Sequence, residues 1–223
     1  MSDTLQLKRP DSLSKIAEEH IRRGIINGTF GLGEKLQEAK LSKVIGISKT
    51  PIREALAALN LQGLVRIIPQ RGAFVFDLSQ ESVEQLCQYR LLLETAAMSL
   101  ALDNNFTALL AELEDLVSKM SEARNAGAFG EYLELDADFH GAFFRHCSNS
   151  YLQDGYQNVS DIVRTMRMHL SKRPERIEKS FKEHAAITKH LREGKVNPAN
   201  TVLKRQITRG ERSYSDLIGL GQL

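Results

Sequence analysis

Residues 41–75 read LSKVIGISKTPIREALAALNLQGLVRIIPQRGAFV, and the order of signals in this stretch decides the fold of the first part of the chain. A short helical pattern, about 37–45, places Leu41, Val44 and Ile45 on one side. It stops at Gly46, a residue suited to the left-handed position that closes a helix. A second helix starts near Ser48 or Thr50, with Pro51 in its first turn, where the missing N–H would be unpaired anyway. Its inward stripe is Ile52, Ala55, Leu56 and Leu59, while Lys49 and Arg53 share the next row and stay exposed. Two apolar runs, 64–68 and 73–76, flank Pro69-Gln70-Arg71-Gly72 and predict a β-ribbon with a basic tip. Helix, tight turn, helix and ribbon is the layout of a winged helix-turn-helix.

Upstream, residues 1–10 read as a loose arm ending at Pro10. Leu13, Ile16, Ala17, Ile21 and Ile25 then form a helical stripe, capped by Asp11 or Ser12 and ended by Gly28. Lys35-Leu36 is a short strand. This layout suits duplex DNA. The major groove is about 12 Å wide and admits one helix, whose N-terminal turn lies closest to base edges. Ser48, Lys49, Thr50 and Arg53 lie in that turn. Arg53 is suited to bidentate contact with guanine. Lys49 is a point charge, so its contact is electrostatic. Thr50 and the helix N-terminus can hold a phosphate. Arg71 and Gly72, at the ribbon tip, would reach the adjacent minor groove or backbone.

Charge follows the same division. Residues 1–76 carry 12 Lys/Arg and 7 Asp/Glu, whereas the remainder carries 18 and 21, so a basic module precedes a mildly acidic body. A polyanion partner is expected for the first part only. The 223 residues suit one or two domains. No apolar run approaches the roughly 20 residues of a membrane helix, so no membrane partner is expected. The polar N-terminus is not a secretory signal, and a cytoplasmic location is expected. Cys87 and Cys147 have neither metal-ligand nor redox-pair spacing and read as buried free thiols.

From about Ser79 nothing reads as a strand. Six helical patterns, roughly 79–102, 105–126, 128–147, 150–171, 174–193 and 197–219, are separated by ordinary turn signals. The fold class is therefore mainly α: a winged helix-turn-helix over 1–76, a hinge at 77–79 and a six-helix bundle over 80–223. Polar residues falling on apolar stripes are the informative ones, because burying them is costly unless they are paired. Asp136 and His140 lie four apart on the stripe of Phe129, Tyr132, Leu133, Phe143 and Phe144. His184 falls among Ile177, Phe181, Ile187 and Leu191, and Gln206 among Ala199, Val202, Leu203, Ile207 and Gly210. Converging from three helices, these four groups would be satisfied together by a divalent metal. Arg90 lies on the inward stripe of Val83, Leu86, Cys87, Glu94 and Ala97, either as a buried cation for an anionic ligand or as an i, i+4 partner of Glu94. Arg164 and Arg167 are further candidates for the anion.

The stretch 41–75 resembles the N-terminal domain of the GntR family of bacterial transcription regulators, with Ser42, Ile47, Lys49 and Ile52 as conservative departures. The resemblance implies a homodimer on a short pseudo-palindromic operator in double-stranded DNA, with contacts from Glu38 to Lys40, from Lys49 to Arg53 and from the wing. The second half is similar to the FCD domain of the FadR-like branch, in its shorter six-helix type. The matching pieces are Asp136 to His140, Ser148-Asn149, Glu183-His184 and Ala199 to Ile207. In metal-binding members an Asp and three His hold zinc, nickel or manganese. Carried over, these are Asp136, His140 and His184, with Gln206 in place of the third His. Effectors of this family are small carboxylates bound beside the metal; the resemblance places Arg90 near the ligand and matches Asn149, and Arg164 and Arg167 on the fourth helix remain further candidates for effector contact. The expected function is a metabolite-responsive DNA-binding regulator and not an enzyme. The alternative is a metal-dependent helical hydrolase with an appended nucleic-acid-binding head, against which stand the missing second general base and nucleophile motif. RNA binding is disfavoured, because the third helix has no aromatic stacking platform.

Overall fold

The computed structural model describes residues 12–170 and 174–219, and the expectations placed on residues 1–11 fall outside them. The chain divides after Asp77 into two compact units.

In the first unit, helix α1 spans Leu13–Ile26 and is capped by Ser12, whose Oγ accepts from the Lys15 N–H at 3.2 Å. Ala17, Ile21, Gly24 and Ile25 form its buried face. Leu13 and Ile16, expected on that stripe, are half exposed because the buried face starts only at Ala17. Strand β1 (Lys35–Leu36) leads into α2 (Glu38–Ile45). Of the apolar residues expected inward on α2, Leu41 is buried and Val44 is exposed. Gly46 takes φ 78° and closes α2, its N–H donating to the Ser42 carbonyl at 3.0 Å. Ser42 also donates its hydroxyl to the Ile47 carbonyl at 2.5 Å, tying both sides of the turn together. Helix α3 (Lys49–Leu61) buries Ile52, Ala55, Leu56 and Leu59, the whole expected stripe. Strands β2 (Val65–Ile68) and β3 (Gly72–Val75) then form the ribbon, antiparallel, with Val65 opposite Val75 and Ile68 opposite Gly72. β1 pairs on the other edge of β3, giving the order β1-β3-β2.

The second unit is helical throughout its described residues. Helix α4 runs Gln80–Asn125, begins at the Ser79 cap and kinks at Asn105, whose φ −145°, ψ 40° is non-helical. The break expected at Asp103-Asn104-Asn105 is thus a bend and not a loop, and its two arms supply the first two of six helical segments. The amides at the bend are committed elsewhere: Asn104 Nδ2 donates to the Cys147 carbonyl and Asn105 Nδ2 to the His146 carbonyl, both at 2.9 Å. These carbonyls end α5 (Phe129–His146), so the bend is fastened to the C-terminus of that helix. α6 (Ser150–Leu170), α7 (Pro174–Arg192) and α8 (Val196–Gly219) complete the bundle. Phe139, Phe143, Met98, Ile187 and Leu203 are fully buried at its centre, and Cys87 and Cys147 are buried free thiols. Phe129, expected inward, is partly exposed at the start of α5.

Two glycines separate backbone conformation from packing. A Cβ at Gly46 would meet nothing, so only its left-handed φ opposes a side chain. A Cβ on Gly24 would lie 2.5 Å from the Phe30 ring. Gly46→Ala is therefore expected to lower stability by about 1 kcal/mol and Gly24→Ala by more, through overpacking of about 1–3 kcal/mol. Denaturant midpoints of the two variants check the order, and a more damaging Gly46→Ala would reverse it.

Candidate functional site

In the first unit the expected DNA contacts occupy one edge of the helix-turn-helix and the ribbon tip. Ser48 holds the N-cap position of α3 without a side-chain hydrogen bond to the helix, and is exposed beside Lys49 and Thr50 in the first turn. Arg53 is exposed, yet its Nε donates to Glu38 Oε2 at 2.7 Å. Two residues singled out separately are therefore one ion pair between α2 and α3, which orients the guanidinium. Lys40 is exposed on α2. Arg71 and Gly72 lie at the tip, where Gln70 (φ 62°) and Gly72 (φ 104°) take left-handed backbone. The Arg71 guanidinium and the Lys35 ammonium lie 6.0 and 5.8 Å from the Phe74 ring centre, so the ribbon carries cations around one aromatic ring. Ser42 was not anticipated as a turn-former; its hydroxyl reaches the carbonyl five residues on, beyond the usual local side-chain-to-backbone patterns.

In the second unit Asp136, His140, His184 and Gln206 are all buried and meet. Asp136 and His140 come from α5, His184 from α7 and Gln206 from α8. The ligand-type atoms of Asp136, His140 and His184 lie within 4.8 Å of one another. His184 Nε2 is 3.4 Å from His140 Nε2 and 3.5 Å from Asp136 Oδ1. Neighbouring ligand atoms in a tetrahedral site with bonds of about 2.1 Å have about this separation.

The tautomers sharpen the point. His140 Nδ1 is 2.5 Å from Glu94 Oε2, and an ionised carboxylate can only accept, so Nδ1 carries the proton. His184 Nδ1 is 2.9 Å from the Ser180 carbonyl, again an acceptor, so its Nδ1 carries the proton too. Both Nε2 atoms are then bare lone pairs facing each other at 3.4 Å, with no proton between them. Two lone pairs and a carboxylate oxygen pointed at one place suit a cation, since none of the three can donate to another; the donors near them are Gln206 Nε2, 3.2 Å from His184 Nε2, and the Ser180 hydroxyl on Asp136 Oδ1. The donor set therefore fits a divalent metal. A carboxylate behind a ligating imidazole is also the arrangement that fixes ring orientation in metal sites.

Glu94, fully buried, is the residue that sequence reasoning missed as part of this site. Its Oε1 accepts from Arg90 Nε at 2.9 Å, and its Oε2 faces His140. The i, i+4 alternative for Arg90 thus holds, although Arg90 also lines the cavity. The Arg90 partner was legible from spacing; the His140 partner, 46 residues away, has no local signal. Ser180 was missed as well. It lies one helical turn before His184 and donates its hydroxyl to Asp136 Oδ1 at 3.0 Å. Arg167 Nε lies 3.0 Å from Asp136 Oδ2, an ion pair without hydrogen-bond alignment. A cavity of about 70 Å³ opens here, lined by Arg90, Asp136, His140, Arg167, Gln206 and two unanticipated arginines, Arg176 and Arg209. Arg209 is paired with Glu183. Asn149 and Arg164 are placed elsewhere. Asn149 caps α6, its Oδ1 accepting from the Leu152 N–H at 3.2 Å. Arg164 pairs with Glu134 at 2.5 Å and lines a separate cleft between α5 and α6.

Burial and charge set the protonation states. Burial alone would raise the Glu94 carboxyl, but Arg90 and then His140 override it and hold it well below the usual carboxylate range. Burial likewise opposes ionisation of Asp136, and Arg167 and then His184 pull it to about 2. Burial pushes His184 down to about 3 against the attraction of Asp136, and burial with Arg167 lowers His140. Both rings are neutral at physiological pH. An unfolded histidine takes its proton near pH 6.5, so stability contributed by neutral His184 is complete above that pH and is lost as pH falls toward about 3. Through His184, metal-free protein is expected to lose up to about 1.4 kcal/mol per pH unit below pH 6.5. Unfolding midpoints between pH 7.5 and 5 measure this. The slope should shrink in His184→Gln, and equal slopes in both proteins would contradict it.

The comparisons with known proteins accord with this geometry. Residues 13–75 match the gntR family of bacterial regulatory proteins, and residues 85–209 match the FCD domain. The HTH-type transcriptional regulator YdhC of Bacillus subtilis, itself uncharacterized, is 27% identical over 191 residues, covering 85% of each chain. The gluconate operon transcriptional repressor of Bacillus licheniformis is also 27% identical over 191 residues, covering 83% of this chain and 78% of that one. The structure of E. coli McbR superposes with a TM-score of 0.79 at 19% identity, over 94% of this chain and all of that one, which speaks for the fold. Both families and these relatives are transcriptional regulators and not enzymes, which leaves the hydrolase reading without support. With a winged helix-turn-helix in about its first third and an FCD domain over more than half its length, the chain belongs to the GntR family of bacterial transcription regulators.

Proposed function

We propose that this regulator binds a pseudo-palindromic operator as a homodimer in the cytoplasm, and that a small carboxylate metabolite controls its affinity. DNA reading is assigned to residues 1–76, a hinge to 77–79, and effector binding and dimerisation to 80–223. The effector would be held together with a divalent ion, zinc, nickel or manganese. One observation carries the sensing half of this reading: two imidazole lone pairs and a carboxylate oxygen converge at the wall of a cavity lined by Asp136, His140 and four arginines. When bound, the ion would neutralise Asp136 and offer a Lewis-acidic anchor to a carboxylate. The remaining work falls to the chain. Glu94 and the Ser180 carbonyl hold the two rings in the metal-ready tautomer. Arg167 keeps Nη1 buried without a hydrogen-bond partner, a donor suited to an incoming anion. Arg90, committed to Glu94, adds positive potential.

In the DNA-reading half, Arg53 is assigned the base contact and Glu38 the task of orienting it. Ser48, Lys49, Thr50 and Lys40 are assigned to the phosphates, and Arg71 with Gly72 to the wing contact. Linkage requires that operator DNA change effector affinity by the same factor as effector changes DNA affinity.

Two measurements test the halves separately. Arg53→Ala is expected to cost about 1–3 kcal/mol of sequence discrimination while leaving dimerisation intact. Footprinting on an operator selected from random DNA, beside sedimentation of the free protein, checks this; a variant that still protects the operator sinks the readout role. His184→Ala should lower bound metal in elemental analysis of protein purified without chelator. Wild-type protein with no metal under those conditions would end the metal reading.

A further inference from the structure

Gln206 stands where three ligand atoms already meet. It is 92% buried on α8, and its side-chain nitrogen lies 3.2 Å from His184 Nε2. Its oxygen is buried and has no hydrogen-bond partner. The two facts have one cause. His184 Nε2 presents a bare lone pair, because the ring proton sits on Nδ1 against the Ser180 carbonyl. An amide beside a lone pair turns its N–H toward it, which leaves the oxygen facing away. The two ends of a carboxamide have nearly the same size and shape, so turning the group over exchanges N–H for C=O with little change in packing.

We propose that Gln206 is the fourth protein ligand of the divalent-metal site, through its side-chain oxygen after the amide turns over, and that it sets the metal preference. The proposal rests on the metal reading above. Once the lone pair of His184 is engaged by a cation, the N–H end of the amide faces a positive charge and the oxygen end is the favoured one. The donor set then becomes two imidazole nitrogens, one carboxylate oxygen and one amide oxygen. Asp136 contributes one oxygen, since its Oδ2 faces Arg167. Imidazole favours zinc and nickel, whereas carboxylate and carbonyl oxygens favour manganese. Exchanging one nitrogen donor for an oxygen therefore narrows the advantage of Zn²⁺ and Ni²⁺ over Mn²⁺ relative to a site with three imidazoles.

Full-length protein stripped with chelator is titrated with Mn²⁺, Zn²⁺ and Ni²⁺ by calorimetry, alongside Gln206→His, Gln206→Leu and the isosteric Gln206→Glu. Gln206→His is expected to raise Zn²⁺ and Ni²⁺ affinity at least tenfold more than Mn²⁺ affinity. Gln206→Leu is expected to weaken Mn²⁺ at least tenfold and, by water-proton relaxation of the Mn²⁺-loaded protein, to admit one more exchangeable water. Gln206→Glu retains an oxygen donor and should bind Mn²⁺ at least as tightly as wild type, which keeps the test decisive if the Leu variant misfolds. A metal-binding wild type whose affinities are unchanged in Gln206→Leu, or a Gln206→Glu variant that loses Mn²⁺, overturns the ligand role alone. A wild type that binds none of the three metals overturns the metal reading, and the ligand role with it.

Discussion

The helical half of this protein depends on one buried carboxylate. Glu94 has no exposure to solvent, and both of its oxygens are taken, one by the Arg90 guanidinium and one by the His140 ring. Removing one partner of such a buried group costs about 3–5 kcal/mol, because the other charge is left uncompensated. The Arg90 contact keeps Glu94 ionised, ionised Glu94 fixes the proton on His140 Nδ1, and that proton leaves Nε2 bare. The same logic runs through Asp136, which is held by Arg167 and Ser180 from α6 and α7. The cavity is therefore assembled from charge pairs that satisfy one another across helices, and the apolar core around Phe139 and Phe143 shields them from water.

The reading half uses the opposite economy. Its charges are exposed, and surface pairs contribute little to stability. The Arg53–Glu38 pair is better understood as orientation. It holds a long side chain near α2 and reduces the number of conformations that contact with DNA would have to select. Ser42 acts on the backbone in the same sense, by closing the turn between the helices that carry these two residues.

Most of the architecture was legible in the order of residues, for physical reasons. Periodicity located α3, whose four inward residues are all buried, and turn chemistry located Gly46 and the ribbon tip. Polar residues on apolar stripes located Asp136, His140, His184 and Gln206, because burial of such groups demands a partner. Partners distant along the chain were not legible: Glu94 with His140, Arg167 with Asp136, Glu38 with Arg53. Each joins two elements, and local spacing carries no information on how elements pack. Short or terminal stripes were also over-read. Val44 and Phe129 fit the helical period, yet Val44 is mostly exposed and Phe129, at the start of its helix, is covered only in part. Asn149 was matched by resemblance to an effector contact, but its side chain is occupied with starting α6.

The fastening of the α4 bend to the end of α5 fixes the frame in which the site is built. Asn104 and Asn105 grip the His146 and Cys147 carbonyls, and Glu94 and His140 hang from that grip on two helical arms. At about 1.5 Å per residue the arms are roughly 15 Å and 9 Å long. Each is a rigid ruler, because every added residue advances a helix and turns it by about 100°. A one-residue insertion on either arm would swing its functional group out of reach of the other while leaving both helices, and their composition, intact. Length between the grip and the site is thus under tighter geometric constraint than the identity of most residues within it, because a substitution leaves the ruler's rise and turn unchanged whereas an added or lost residue does not.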